Sequence, residues 1–330
     1  MLNISKILKQ TEFSHEDLSL LVELKDLQKM KLLFEEANSV RRRYKTDEIR
    51  ISGMIDISNY CDADCRYCNL GTGSKDIPRY RMNADEIISM GIQVSNSGIK
   101  SLILQSGSDD FFDSDMISYI IFSIKKKTNA EIILNLGLRE KEEYKTWKLA
   151  GADSYIIRHQ IANKEIKGTP ELLRDFPSHV RQSELLREVN LNIGVSNIIG
   201  LPGHNTEDYV TKIEFMKEIN AKMVIHTPFI PMPLTPLANN SPGSRLRTLR
   251  TIAITRLILK NIDIPALPMA YITDEQKNER GFNLGANLLI ADFTPTEYHS
   301  DKIFGQCKQY AKHYSQILGY QELQSELSLS

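Results

Sequence analysis

Apolar residues recur along the chain in two patterns, and the pattern changes near residue 50. Within residues 1–46 they follow a helical period through Leu20, Leu24 and Leu27 to Phe34, which predicts an N-terminal helical cap. From residue 50 onward, short apolar runs alternate with amphipathic stretches of helical period. This alternation is typical of parallel strands joined by helices, and so predicts an α/β fold.

Eight strands are predicted from the short apolar runs. They are Arg50–Ile57, Ser101–Gln105, Glu131–Leu136, Ser154–Arg158, Asn192–Ile199, Met223–Thr227, Ile262–Ala266 and Asn287–Ile290. Helical patterns lie between most of them, and eight strands with helical crossovers favour a (β/α)8 barrel of the TIM type over an open sheet. We therefore predict a helical cap over residues 1–46, a barrel over 47–300 and a C-terminal helical tail over 301–330.

Composition and charge narrow the possible partners. The chain has 330 residues, with 41 Lys and Arg against 42 Asp and Glu, and this near-neutral balance argues against a nucleic-acid partner. The longest strongly apolar stretch, Met116–Ile124, is far shorter than the ~20 residues that span a bilayer. The N-terminus lacks a sustained apolar region followed by a small-residue cleavage site. We expect a cytoplasmic protein without a membrane partner.

Three of the four cysteines lie within eight positions, directly after the first predicted strand. Cys61, Cys65 and Cys68 have the spacing C-x3-C-x2-C, whereas Cys307 stands alone. Thiolates select iron–sulfur clusters or zinc. A structural zinc site normally has a fourth ligand at short spacing, and the histidines here form no such pair. The residues therefore favour a three-thiolate cluster with one open iron, with zinc and metal-free cysteines as the alternatives.

The segment CDADCRYC resembles the cysteine signature of the radical S-adenosylmethionine (radical SAM) superfamily, with Tyr67 as the aromatic residue before the third cysteine. The resemblance implies that Cys61, Cys65 and Cys68 bind three irons of a 4Fe–4S cluster. SAM would chelate the fourth iron and be cleaved reductively to a 5′-deoxyadenosyl radical.

Further strings, among them RRRYKTDEIRI, PRYRM, LILQSG and GLPG, are similar to the HydE family of FeFe-hydrogenase maturases, which groups with methylornithine synthase (PylB) and biotin synthase. This resemblance implies a closed barrel, a small amino-acid-derived substrate, and reduced flavodoxin or ferredoxin as the electron donor. A PylB-like carbon-skeleton mutase is the alternative enzyme. A non-catalytic iron–sulfur or metal-binding protein is the alternative outside enzymes.

The same resemblance suggests the residues of the site. In the family, the segment matching Gln105–Gly107 receives the SAM amino group, the arginine matching Arg158 can bind a carboxylate, and the GLPG turn packs the adenine. The expected SAM-binding residues are Tyr67, Gln105, Ser106, Gly107, Asn135, Arg158, Gln160, Arg181, Gly200 and Leu201. The expected substrate pocket comprises His226, Thr227, Met269, Tyr271 and Asn287, and His159 and His226 are the candidates for acid–base catalysis.

Several positions depart from the HydE pattern and suggest a remodelled substrate pocket. Gln160 and Leu138 stand where HydE has glutamates, so two carboxylates are lost, and a glutamine carries no charge. Ala266–Pro268 replaces a threonine pair of the HydE cavity. No cysteine lies between Cys68 and Cys307, which excludes the second, sacrificial cluster of biotin synthase. A lone Cys307 cannot hold a further cluster.

Overall fold

The structure is a computed structural model, and it describes residues 4–46, 48–63, 65–72, 77–160, 176–267 and 281–298. Its first part is helical, as the apolar period predicts. Three helices, α1 (Ile4–Leu8), α2 (His15–Val22) and α3 (Leu27–Tyr44), precede the first strand. The predicted helical tail over 301–330, with Cys307, lies outside the described residues.

Strands and helices then alternate. The strands are β1 (Arg50–Asp56), β2 (Ser101–Gln105), β3 (Glu131–Asn135), β4 (Ser154–Arg158), β5 (Asn192–Ile199), β6 (Met223–Pro228) and β7 (Leu288–Asp292). The helices are α4 (Ala84–Asn96), α5 (Ser114–Lys127), α6 (Lys141–Ala150), α7 (Phe176–Glu188), α8 (Thr206–Glu218) and α9 (Arg245–Ile258). In the described part of the chain, no helix combines the length and apolar character needed to cross a membrane.

The strands form one parallel sheet in the order β6-β5-β4-β3-β2-β1-β7. The prediction of a strand at Ile262–Ala266 was wrong, because this segment forms isolated β-bridges and no continuous strand. Asp263 bridges to Met223 and Pro265 bridges to Leu288. The physical reason lies in the segment itself, which is short and contains a proline without a backbone N–H for a ladder. The sheet thus curls until β6 and β7 lie on either side of this segment.

Two apolar clusters cover the two faces of the curled sheet. The inner cluster consists of Ile103, Ile133, Ile156, Met223 and Leu288, one residue from each of five strands. Residues of opposite parity, such as Leu102, Leu104, Ile132, Leu134, Tyr155 and Val195, belong to the larger cluster that also contains helix residues. Successive side chains of a strand point to opposite faces. We call the space inside the curled sheet the lumen.

A buried arginine connects the edge where the sheet curls together. Arg256 of α9 donates to the carbonyls of Gly285 at 2.7 Å and of Lys260 and Ile262 at 2.9 Å, and to Asn287 Oδ1 at 2.7 Å. Asn287 Oδ1 also accepts the Ile264 N–H at 2.9 Å. Together these bonds attach the bridging segment to the start of β7.

This placement corrects the expectation that Asn287 lines the substrate pocket. Asn287 precedes β7 and therefore lies at the amino ends of the strands. The cysteine segment follows β1 and lies at the carboxyl ends. Asn287 is also saturated with structural hydrogen bonds, since its Nδ2 donates to Asp263 Oδ1 at 2.9 Å.

Arg256→Met should destabilise the protein by about 3 kcal/mol or more, because it leaves several buried acceptors without a donor. Urea unfolding of the purified protein measures this change in free energy. Arg43→Met is the matched control, since Arg43 is exposed on α3 and its loss should change the stability little. Equal stability of both variants would contradict the structural role of Arg256.

Candidate functional site

The cysteine segment lies at the carboxyl end of β1, where the loops of parallel α/β proteins carry their sites. All three cysteines are half-buried, and no disulfide joins them. A turn brings Cys68 N to Cys65 O at 3.0 Å. The backbone N–H of Ser108 donates to Cys61 Sγ at 3.3 Å, and that of Leu70 donates to Cys68 Sγ at 3.5 Å. Such donors stabilise sulfur in its thiolate form.

Gly107 allows the loop after β2 to contact the cysteine segment directly. A Cβ at this position would lie 2.1 Å from the Tyr60 carbonyl oxygen and 2.6 Å from Cys61 Cβ. The neighbouring backbone is paired, since Asp62 N donates to Ser108 O at 2.9 Å. The site therefore requires a residue without a side chain at 107, and the reason is close backbone approach.

Arg79 holds the two ends of the cysteine segment together. Its guanidinium donates to the carbonyl of Asn59 at 2.5 Å on one side. On the other side it donates to the carbonyls of Leu70 at 2.8 Å and Gly71 at 2.9 Å. One planar, permanently charged group thus fixes the segment at its entry and exit.

A buried carboxylate fixes the strand end next to the cysteines. Asp109 accepts two hydrogen bonds from Arg81 at 2.9 Å and one from the Ser58 hydroxyl at 2.7 Å. Burial opposes ionisation, but these bonds outweigh it and lower the pKa of Asp109. The Arg81 guanidinium also stacks between the rings of Tyr60 and Phe111, at 3.7 and 4.7 Å from their centroids.

A row of hydrogen-bonded side chains crosses the carboxyl ends of β1 to β4 on the lumen side. Gln105 Nε2 donates to Asp56 Oδ1 at 2.9 Å. Asn135 Nδ2 donates to Gln105 Oε1 at 2.7 Å, and Arg158 Nε donates to Asn135 Oδ1 at 2.8 Å. Arg158 Nη2 donates to the carbonyls of Asn135, at 2.9 Å, and of Ser106. We call Asp56, Gln105, Asn135 and Arg158 the polar row.

Arg158 also acts electrostatically on the cysteine segment. Burial raises the pKa of Cys68 to about 11, and the neighbouring Cys65 and Cys61 thiols add to this rise, whereas Arg158 opposes it. Burial likewise raises the pKa of Tyr67, and Arg158 again opposes the rise. A fixed positive charge therefore lies close enough to Cys68 to favour its ionised form, against the larger effect of burial.

Tyr67, Leu201 and Gly200 meet on the other side of the cysteine segment. Leu201, Phe229 and Leu237 form a small buried apolar cluster, against which Tyr67 and Ile198 pack. Gly200 has a φ of +85°, and a Cβ there would lie 2.7 Å from Gly243 Cα. The GLPG turn is thus held by close packing and forms an apolar wall beside the cysteines. Such a wall suits an aromatic ring of a ligand.

Gln160 and Thr227 lie near the same strand ends. Gln160 Oε1 accepts the Ile198 N–H at 2.6 Å, so the amide is fixed by the backbone of β5. Thr227 is half-buried and has the same parity as Met223 of the inner cluster, which places it on the lumen side.

His159 and His226 do not face the lumen, contrary to the prediction that they act in acid–base catalysis and that His226 lines the substrate pocket. Both lie on the helix side of the sheet. His226 is 1% exposed, and its Nε2 lies 2.9 Å from Thr255 Oγ1 of α9. His159 Nδ1 lies 3.1 Å from His179 Nδ1 of α7. Both are neighbours of lumen-facing residues, and period-two alternation turns them away from the lumen. Burial lowers the pKa of His226 to about 3 and that of His159 well below its usual value, which suits neither to proton transfer with a lumen ligand.

Arg181 also lies away from the site, contrary to the prediction that it binds SAM. Its side chain is 66% exposed and lies 3.9 Å from Glu184 in a surface ion pair on α7. It therefore does not reach the polar row or the cysteines. The predicted pocket residues Met269 and Tyr271 lie outside the described residues.

Four residues of the site were not among the predicted ones: Asp56, Arg79, Arg81 and Asp109. The string PRYRM after the cysteines carried two of them. An arginine pair so close to a thiolate segment was a usable signal for charge support. Asp56 and Asp109 gave no such signal, because each is recognisable only by its partner from another strand or loop.

The donor set and its surroundings fit an iron–sulfur cluster. Three thiols lie on one compact segment, two of them, Cys61 and Cys68, accept backbone N–H bonds, and a guanidinium lies nearby. Such surroundings stabilise thiolates. Within the described ranges, no three His, Cys, Asp or Glu side chains converge closely enough to chelate a single metal ion. A cluster with several irons gives each thiolate its own iron, so the three sulfurs need not converge on one point.

Comparison with known proteins gives a consistent result. Residues 55–216 match the family model for the Radical SAM superfamily. The chain is 35% identical over 291 residues to the FeFe hydrogenase maturase subunit HydE of Thermotoga maritima, covering 88% of this chain and 83% of that protein. It is 24% identical over 263 residues to 3-methylornithine synthase of Methanosarcina acetivorans, covering 79% and 75% of the two chains. The crystal structure of methylornithine synthase (PylB) has a TM-score of 0.78 at 20% identity, covering 87% and 85%.

Gly107→Ala should lower the iron bound after anaerobic reconstitution several-fold, because the added Cβ displaces the Tyr60–Cys61 backbone. Iron and sulfide analysis per protein chain measures this loss. Ser108→Ala is the control, since it keeps the backbone N–H that donates to Cys61. Full iron content in Gly107→Ala would show that the contact between the two loops is not needed for the site.

The Asp109 pair should add a pH dependence to stability. A lowered folded pKa means that the pair stabilises the fold above about pH 4 and that this contribution disappears as the pH falls through the lowered pKa. The difference in unfolding free energy between the wild type and Asp109→Asn, measured in urea from pH 7 downward, should therefore shrink at acidic pH. A difference that stays constant with pH would contradict ionisation of the pair.

Proposed function

This chain belongs to the radical SAM superfamily, and we propose that it transforms a small amino-acid-derived molecule in its lumen, as a HydE-like enzyme with a remodelled pocket. Its relatives make it an enzyme that uses a 4Fe–4S cluster, SAM and a reductant. The alternative of a non-catalytic iron–sulfur or metal-binding protein is therefore set aside.

Cys61, Cys65 and Cys68 are the residues that would hold the cluster. When bound, the cluster and SAM supply a 5′-deoxyadenosyl radical that abstracts hydrogen from the substrate. The thiols must stay reduced to serve as ligands. This requirement supports the proposal that the protein acts in a reducing compartment such as the cytoplasm. Because the three cysteines are only half-buried, a reduced flavodoxin or ferredoxin has access to donate the electron.

The single observation that carries the proposal is the layered lumen. An apolar layer that includes Ile103, Ile133 and Ile156 lies below the polar row, which ends in Arg158. Nε and Nη2 of Arg158 are engaged by Asn135 and Ser106. Nη1 makes no hydrogen bond to any residue in the described part of the chain. A lumen with an apolar body and one available cationic donor suits a small ligand bearing a carboxylate.

The pocket lacks charges that HydE would place there. Gln160 is bonded to the backbone of β5 as a neutral amide, and Leu138 is a half-buried apolar residue. Neither can balance a cationic group of a ligand. These changes support a substrate that differs from that of HydE. The second candidate is a PylB-like mutase that rearranges the carbon skeleton of an amino acid, and the likeness to 3-methylornithine synthase supports it.

We further infer that the lumen is closed as a complete barrel. The segment 263–265 bridges β6 on one side and β7 on the other. This supports the interpretation that it occupies the position of the eighth strand of the barrel. Val224 N donates to Asp263 O at 2.9 Å, and Ala266 N donates to Leu288 O at 2.8 Å. Closure would exclude bulk water, which protects a reactive carbon radical from side reactions.

The protein, reconstituted anaerobically with iron and sulfide, should cleave SAM to 5′-deoxyadenosine under a strong reductant. With a panel of perdeuterated amino acids, it should incorporate deuterium into 5′-deoxyadenosine, because the radical abstracts hydrogen from the bound substrate. Mass spectrometry measures both products. Cys65→Ala, which removes one cluster ligand, should abolish them.

The same samples separate the two candidate functions. A rearranged isomer of the labelled amino acid supports the mutase, whereas a fragment or adduct supports a HydE-like reaction. SAM cleavage by an intact cluster without deuterium transfer from any amino acid would contradict the proposed substrate class.

A further inference from the structure

The polar row has only one possible hydrogen-bond direction. An ionised carboxylate can only accept, and a guanidinium can only donate. Asp56 at one end therefore requires an N–H from Gln105, and Arg158 at the other end requires the oxygen of Asn135. The middle bond, from Asn135 Nδ2 to Gln105 Oε1, follows from these two constraints. The two amides are thus fixed in orientation by charges on strands that do not touch each other.

The fixed direction determines where Arg158 points. Asn135 binds Arg158 twice, through its side-chain oxygen at 2.8 Å and its backbone oxygen at 2.9 Å. Asn135 is only 4% exposed, so its amide cannot turn to water when its orientation is wrong. If the amide were reversed, its NH2 group would face the guanidinium, and two donors would oppose each other in a buried place.

We propose that Asp56 is a positioning residue for Arg158, acting through Gln105 and Asn135, and that the row presents Arg158 Nη1 to the carboxylate of an α-amino-acid group. SAM and an amino-acid substrate share this chemistry. The inference rests on the proposed function only in taking Arg158 as a ligand-binding group. Asp56 acts through three strands, because the parallel register places Asp56 beside Gln105 and Gln105 beside Asn135.

The hydrogen bonds of Gln105 can be reversed in direction by exchanging the carboxylate and the amide at positions 56 and 135. In Asn135→Asp, the new carboxylate accepts from Arg158, but Gln105 then lies between two carboxylates and can donate to only one of them. In Asp56→Asn, the asparagine oxygen can still accept from Gln105, but its NH2 group can also donate, so the direction of the row is no longer fixed at this end. In the double variant Asp56→Asn with Asn135→Asp, residue 135 still accepts from Arg158, the two bonds of Gln105 form in the opposite direction, and the net charge is unchanged.

The test is the affinity for SAM, measured by equilibrium dialysis on the anaerobically reconstituted protein. Asn135→Asp should weaken SAM binding about 10-fold or more. Asp56→Asn should weaken it less, because the asparagine oxygen can still accept from Gln105 but no longer fixes the direction of the row, and the double variant should recover most of the loss seen in Asn135→Asp. Decarboxylated SAM, which lacks the carboxylate, should bind all four proteins with similar affinity if the SAM carboxylate is the ligand. Asn96→Asp, at an exposed position of α4, is the charge control.

Urea unfolding of the cluster-free proteins separates a positioning role from a structural one. Asn135→Asp should lower the stability, and the double variant should restore it, which shows that the row exists as described. Restored stability without restored SAM affinity would overturn the positioning role. A double variant as unstable as Asn135→Asp would overturn the direction of the row. Equal weakening of SAM and decarboxylated SAM would overturn carboxylate recognition, and none of these outcomes depends on the identity of the substrate.

If SAM affinity is unchanged in Asn135→Asp although its stability falls, the row does not position Arg158 for SAM. Deuterium transfer from the amino acid identified under the proposed function then decides the remaining case. Loss of transfer in Asn135→Asp and its return in the double variant would assign the carboxylate to the substrate. Unchanged transfer would overturn the proposal.

Discussion

The in-register parallel pairing of β1 to β4 is the constraint on which the site depends. It aligns the carboxyl ends of four strands so that Asp56, Gln105 and Asn135 lie side by side. Since side chains alternate between the two faces, only one residue in two can reach the lumen. A slip of one residue in any pair would turn the polar row toward the helices and place apolar residues in the lumen. The same strand register therefore places the residues of the inner and outer apolar clusters and those of the polar row on their correct faces.

The cysteine segment has little regular structure of its own, and its shape comes from the elements around it. Arg79 connects its two ends, Gly107 admits the neighbouring loop, and Asp109 fixes the position of that loop through Arg81 and Ser58. Charged groups do this work efficiently, because a guanidinium satisfies several carbonyls at once. The result is a segment whose Cys61 and Cys68 thiols accept hydrogen bonds from the backbone.

The structure also divides polar residues by function. His159, His179 and His226 lie buried behind the strands, among the helices, and burial lowers the pKa of His159 and of His226. Lys212 of α8 lies in the same layer, and burial lowers its pKa to about 7. At the carboxyl ends of the described strands, the lumen side instead carries amides, the carboxylates Asp56 and Asp292, and Arg158. This division is consistent with an enzyme whose reactive species comes from its cofactors and whose own side chains bind and orient.

The sequence by itself determined the family and the order of most strands and helices, and it predicted the three cluster ligands, because these depend on local spacing and on periodicity. It also predicted Gln105, Asn135 and Arg158 as site residues, through the family resemblance of the segments in which they lie. Only the tertiary structure decided which face each residue takes, and so it moved His159, His226, Arg181 and Asn287 out of the site. It alone revealed Asp56 and Asp109, since a buried carboxylate is defined by partners that lie far away in sequence. The pairing of the bridging segment around Pro265 was also decided only by the tertiary structure, because it depends on how far the sheet curls.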